Sequence, residues 1–286
     1  MQTGNISFCG KTALNIKSES TKKHILSNLE DKYGVKVLKK HFDIFNEQFS
    51  INKLRKCPYL TCLKSNGNPY FMLLTRINHI NTCILIDKKI QQGYFLPRMI
   101  IIKKQFSNLL FDDTIIDGEM VKDKNNNWLY LIHDIFVHAG KQLDDTNFIK
   151  RVNLIYKLLE NDYIVDKLDI FQLQVKRFFK CSEVTTELVT LQNKLPYSSR
   201  GVLFKPMFFK FKDILYNYDN SLIKSNTKYK LSKTNEFLTN ETLKKEEKEN
   251  IDLSLVNKNQ VFLIKSTNTP DIYSLYDVNK NEYQGN

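Results

Sequence analysis

The stretch IIDGEMVKDKNNNWLYLIHDIFVHAG, residues 115–140, reads as two strands joined by a turn. Residues 114–122 and 128–136 are rich in β-branched and aromatic side chains. Between them, Asp123-Lys124-Asn125-Asn126-Asn127 has the composition of a hairpin loop. Polar groups stand within the strands: Asp117, Gly118 and Glu119 in the first, His133 and Asp134 in the second. Taken singly they are weak signals. A DGE tripeptide is more often a turn than a metal site, and a histidine on an apolar strand is more often a core residue.

The same signature extends outward. Short strand-like runs at 59–63, 70–74, 82–86, 94–97 and 99–102 are separated by Ser65-Asn66-Gly67, Asn78-His79 and Gln91-Gln92-Gly93. Upstream, Ser20-Thr21 can cap a helix with Ile25, Leu26 and Leu29 on its apolar face. Gly34 ends that helix, and a strand is expected at 35–38. Downstream, Asp144-Asp145-Thr146 can start a helix over 144–160, with Phe148, Val152, Ile155 and Leu158 at helical spacing. A second helix is expected at 182–193, then strands at 201–205 and 261–265. Residues 217–258 are polar and carry the run Lys244-Lys245-Glu246-Glu247-Lys248-Glu249, which reads as a long surface insertion.

Composition narrows the class. The 286 residues suit one large domain or two small ones. Fourteen Tyr and 19 Phe against one Trp and 9 Gly favour a strand-rich protein over a helical bundle. A net charge of +12 favours an anionic partner, with solubility as the plainer explanation. The five cysteines form no CxxC pair, and the five histidines do not cluster with them. That argues for reduced thiols and against zinc. The first residues lack a signal-peptide layout, and no apolar run approaches the ~18 residues of a membrane span. A cytoplasmic protein in a reducing compartment, with no membrane partner, is expected.

Four short stretches belong together: Lys64-Ser65-Asn66-Gly67, Ile115 to Val121 with its Asp117-Gly118-Glu119, Leu129 to Ile135 with its His133-Asp134, and Arg200-Gly201-Val202-Leu203-Phe204-Lys205-Pro206. Val261 to Lys265 is a weaker fifth. Each apolar strand delivers polar residues at one end, as strands lining a cleft between two sheets do. In this order and spacing they resemble the covalent nucleotidyltransferases, and most of all the guanylyltransferases of mRNA capping, over roughly residues 55–277. That family carries KxDG, an LLDGE-type strand, a YLIFDI-type strand followed by a helix, DGLIFxP and LKWK.

The resemblance implies an α+β fold of the DNA ligase and capping enzyme type, related in style to ATP-grasp proteins. It has two antiparallel sheets flanked by helices and a central nucleotide cleft. Residues 1–54 would extend the domain, 55–277 would form it with the insertion at 217–258, and 278–286 would be a tail. It also implies a mechanism in which Lys64 attacks the α-phosphate of GTP and releases pyrophosphate. That step needs a neutral amine, Mg²⁺ on carboxylates and further lysines on the phosphate oxygens. Lys64, Glu119 and Lys265 would be catalytic. Lys64, Asn66, Gly67, Asp117, Glu119, His133, Arg200, Gly201, Lys205 and Lys265 would hold a nucleotide or cap.

The sequence departs from the family where chemistry is done. Asn66 replaces the acid of KxDG, Pro69 stands where the family has an arginine, and His133 stands where it has an aromatic ring. Arg200 replaces the acid of DGLIFxP, and Leu263 replaces the first lysine of LKWK. The family's OB-fold domain is not expected in the nine residues 278–286. The sequence reading is therefore a guanylyltransferase-like protein that binds a guanine nucleotide or the 5′ cap of RNA without catalysis and without a cofactor or metal site. Two alternatives stay open. One is an active guanylyltransferase using Mg²⁺ and a partner subunit. The other is a catalytically dead subunit of an RNA-processing or translation assembly. Lys64 paired with Glu119, Arg200 paired with Asp117, and Lys205, Lys210 and Lys212 as a basic rim are further expectations.

Overall fold

Strands buried on both faces account for the apolar runs. Tyr70, Met72 and Leu74 face one core, Phe71 and Leu73 face another, and all five are buried. Cys83 and Leu85 against Ile84 and Ile86 repeat the alternation. The computed structural model describes residues 2–38, 42–166 and 168–218, and the backbone of 262–266, 273–277 and 283–285. The chain divides into two units, Met1–Lys228 and Tyr229–Asn286.

The first unit runs β1 (Thr3–Phe8), β2 (Lys11–Ile16), α1 (Glu19–Tyr33), β3 (Phe42–Ile44), α2 (Glu47–Lys56), β4 (Tyr59–Ser65), β5 (Asn68–Ile77) and β6 (Ile80–Asp87). It continues with β7 (Met99–Ile102), β8 (Gln105–Phe106), β9 (Thr114–Lys122), β10 (Trp128–His138), β11 (Lys141–Gln142), α3 (Phe148–Asn161), β12 (Tyr163–Ile164) and β13 (Gln172–Val175). Then come β14 (Phe179–Lys180), α4 (Val189–Lys194), β15 (Ser199–Pro206) and β16 (Asp213–Asn217). The large sheet has the order β1-β2-β7-β6-β5-β9-β10-β11, with β13 also beside β10. The smaller sheet has the order β14-β4-β15-β16-β3. Pairing is antiparallel except for β10–β13 and β3–β16. In α1, Ile25, Leu29 and Tyr33 pack with Phe71, Leu73 and Ile84 on one face of the large sheet. In α3, Ile155 and Leu158 pack with Met72, Leu74 and Ile116 on the other. The second unit contains a three-stranded antiparallel sheet of β17 (Phe262–Ser266), β18 (Tyr273–Asp277) and β19 (Tyr283–Gly285).

Several local expectations shift. The cap of α1 is Ser18, whose Oγ accepts the Thr21 N–H at 3.2 Å, and Gly34 closes the helix at φ 63°. The cap of α3 is Asn147, whose side chain accepts the Lys150 N–H at 2.9 Å. Asp144 is instead bonded to Gln142. Residues 35–38 do not form a strand; Val35 and Val37 bury beside α1. Residues 94–97 are a loop with Tyr94 and Phe95 exposed. The β1–β2 hairpin was not foreseen. Its turn is Cys9-Gly10, with φ of 51° and 74°, a turn geometry that Asn-Gly usually announces. The polar insertion lies outside the described residues from 219 to 258. No described helix is long and apolar enough to cross a membrane.

Candidate functional site

The chain passes from the smaller sheet to the large one in two residues. β4 ends at Ser65, β5 begins at Asn68, and Asn66-Gly67 joins them. Asn66 is anchored by Ser198: its N–H donates to the Ser198 carbonyl and its Nδ2 to the Ser198 Oγ, each at 3.1 Å. An aspartate could not make the second bond as a donor. A Cβ on Gly67 would lie 2.7 Å from Val121 Cγ1 and 2.9 Å from the Met120 carbonyl, so no other residue fits that approach. The crossing puts Lys64 against Glu119 in the centre of β9.

Glu119 is fully buried and holds three donors: Lys64 Nζ, Ser65 Oγ and Lys176 Nζ. Lys176 also donates to the Leu63 carbonyl of β4 at 3.1 Å, while its backbone N–H reaches Ile132 of β10 at 2.9 Å. It therefore ties the two sheets together. Burial alone would raise the Glu119 carboxyl, but Lys176 and Lys64 outweigh it and hold it at about 2. Burial lowers the Lys64 amine, with Lys176 and Arg200 adding to the effect and Glu119 opposing it.

Asp117 pairs with Lys88 Nζ at 2.8 Å, not with Arg200. Its other oxygen lies 3.7 Å from Nδ1 of His133. His133 is the extra residue of a β-bulge in β10, between Ile132 and Asp134. The residue is 9 % exposed, and Nδ1 has no hydrogen-bond partner among the described residues. Burial, with Lys205, Lys176, Lys88 and Lys64 around it, pushes its pKa well below the usual range, so the ring is neutral at pH 7.

Arg200 occupies a second bulge. β15 pairs Ser199 with Ser65 and Gly201 with Lys64, leaving Arg200 between them out of register. Its carbonyl accepts the Tyr218 N–H at 3.0 Å. No ion pair of its guanidinium occurs among the described residues. Gly201 is required by packing: a Cβ there would lie 2.1 Å from the Tyr216 carbonyl.

Lys205 is not part of a rim. It is buried, 3.1 Å from Asp134 and 2.9 Å from Asp213. Asp134 also takes two bonds from Arg151 of α3, at 2.8 and 3.1 Å. Phe209 packs under the Arg151 guanidinium at 3.7 Å, and Phe204 stacks on Phe45. Lys212 is exposed near Asp43, and Lys210 lies over the Phe211 ring. Lys265 lies in β17 of the second unit, and its side chain falls outside the described residues. Beside Asn66 and Ser198 opens a groove of ≈ 550 Å³, lined in part by Lys122, Lys124, Tyr197 and Ser199.

The family model for the mRNA capping enzyme catalytic domain matches residues 16–230, well over half of the chain. The chain belongs to the mRNA capping enzyme catalytic-domain family. No curated protein matches it. Among solved structures, one titled "Pmar-Lig_Pre." aligns at 13 % identity and a TM-score of 0.32, over 58 % of this chain and 42 % of that one. The chain thus spans less than half the length of that structure.

Within this capping-family domain, the carboxylates that would meet Mg²⁺ do not fit the ion. Glu119 is occupied by two lysines and a serine, and Asp117 by Lys88. A cation, Arg200, stands at the family's third acidic position. Among the described residues, no group of three His, Cys, Asp or Glu side chains is arranged around a common point. The sequence reading missed Lys88, Lys176 and Arg151. For Lys176 the available signal was the alternation Gln172-Leu173-Gln174-Val175, which ends on it.

Proposed function

We propose that this capping-family domain binds a guanine nucleotide or the 5′ cap of RNA in the cleft between its two sheets and does not transfer it. One observation carries the reading. Arg200 sits in a bulge beside Lys64 with no carboxylate of its own, where the family pattern has an acid. A guanidinium there attracts phosphate in the ground state. It supplies nothing to a step that needs a metal-holding acid. Loss of one preorganised electrostatic partner typically costs ~3 kcal/mol of barrier, and Asn66 and Arg200 are two such losses. The neutral ring of His133 keeps an Nδ1 without a hydrogen-bond partner among the described residues, a group that a purine base would satisfy. The groove beside Asn66 gives RNA following a cap a lysine-lined exit.

A second reading has its own support. The lowered pKa of Lys64 is what a guanylylated nucleophile requires, so a partner subunit could complete an active enzyme. Incubation with α-labelled GTP and Mg²⁺ or Mn²⁺ separates the two. The binding reading predicts no covalent label. Label on the wild type that Lys64→Ala abolishes would establish the enzyme instead.

A further inference from the structure

The cations between the two sheets outnumber the acids. The interlocked set holds Lys64, Lys88, Lys176, Arg151, Lys205 and Arg200 against Glu119, Asp117, Asp134 and Asp213. Lys88 has Asp117, Arg151 has Asp134, and Lys205 has Asp213. Glu119 must serve both Lys64 and Lys176, and Arg200 has no acid. Two positive charges, both beside the β4–β15 bulge, are therefore without a counter-charge of their own. Lys64 and Lys176 are buried, and charges removed from water need one, while Arg200 is part-exposed beside them.

We propose that the ligand's phosphate chain is this counter-charge, that it is taken up without a divalent cation, and that Lys64 leaves Glu119 to receive it. The proposal rests on the nucleotide- or cap-binding reading above. It follows from which bonds must break. A divalent ion would need carboxylate oxygens held by Lys64, Lys176, Ser65 and Lys88. A phosphate needs only Lys64 to move, because Lys176 and Ser65 remain to satisfy Glu119. Arg200 stands in the bulge opposite the Lys64-Ser65 step, and its charge acts on the Lys64 amine. The charge groups facing Lys64 are Glu119 from β9, Lys176 from the end of β13 and Arg200 from β15.

Calorimetric titration of the full chain with GTP, once in EDTA and once in Mg²⁺, tests this. The wild type is expected to bind equally in both buffers. Arg200→Asp puts an acid back at the bulge. It is expected to lose about tenfold or more in EDTA and not to recover with Mg²⁺, because Glu119 and Asp117 stay occupied; full recovery with Mg²⁺ would overturn the proposal. Arg200→Gln, which cannot hold a metal, is expected to lose affinity in both, and serves if the aspartate variant does not fold. Wild-type binding that appears only with Mg²⁺ would overturn this proposal and leave cleft binding standing. No binding of GTP or capped RNA in either buffer would overturn both.

Discussion

Glu119 receives three bonds at a point without solvent contact, so its ionisation is coupled to folding. Its carboxyl is held at about 2 in the folded chain, against about 4.3 in an unfolded one. A carboxyl lowered by folding stabilises fully above its unfolded value and loses that contribution as pH falls towards the folded one. The wild type should therefore lose stability from about pH 5 downward more steeply than Glu119→Gln. Urea unfolding of both proteins along that range checks it, and parallel acid limbs would show that Glu119 is not the coupled group. Lys64 and Glu119 were legible because each belongs to a short run with its own glycine. Their joint partner was not. Lys176 lies 57 positions from Glu119 and 113 from Leu63, a distance that only the sheet pairing closes. The pairing of Lys64 with Glu119 was anticipated, whereas the one expected between Arg200 and Asp117 gave way to Lys88.

At the scale of elements, two bulges and one buried ion network set the geometry. The bulges at His133 and Arg200 each turn one side chain out of the strand alternation, and both are positions where the sequence departs from its family. A strand pattern read at period two cannot foresee them. The network of Arg151, Asp134, Lys205 and Asp213 joins α3 and β10 to the smaller sheet. Arg151→Ala leaves Asp134 buried with one cation fewer, and should cost roughly 3–5 kcal/mol in denaturant unfolding. A loss below about 1 kcal/mol would mean that water or Lys205 takes over. Gly201→Ala drives a Cβ into the Tyr216 carbonyl and should cost about 1–3 kcal/mol by loosening β15 from β16. Thermal unfolding reads it, and an unchanged midpoint would contradict the packing argument. Strands 99–102 and 114–122 were readable to the residue, the first because burial leaves an unbroken apolar run, the second because Ile115-Ile116 and Met120-Val121 flank its Asp117-Gly118-Glu119. The N-terminal hairpin was not, because its exposed residues and Cys9-Gly10 turn carry no such signal.

For the whole molecule, the charge of +12 and the proposed site at Lys64 and Arg200 would act on different terms of binding. Diffuse charge attracts any polyanion and is screened by salt, while Lys64 and Arg200 would act at short range. Affinity for capped RNA should fall as salt rises, with a component carried by the cleft persisting. The most direct measurement is displacement of a fluorescently labelled capped RNA, followed by anisotropy at about 0.15 M salt. The competitors are GTP and an uncapped 5′-hydroxyl RNA of the same sequence. The account predicts that GTP displaces the probe, and that uncapped RNA does so only at about tenfold higher concentration or more. Equal displacement by uncapped RNA, with GTP inactive, would show a chain that binds RNA by general charge and leaves its cleft unused.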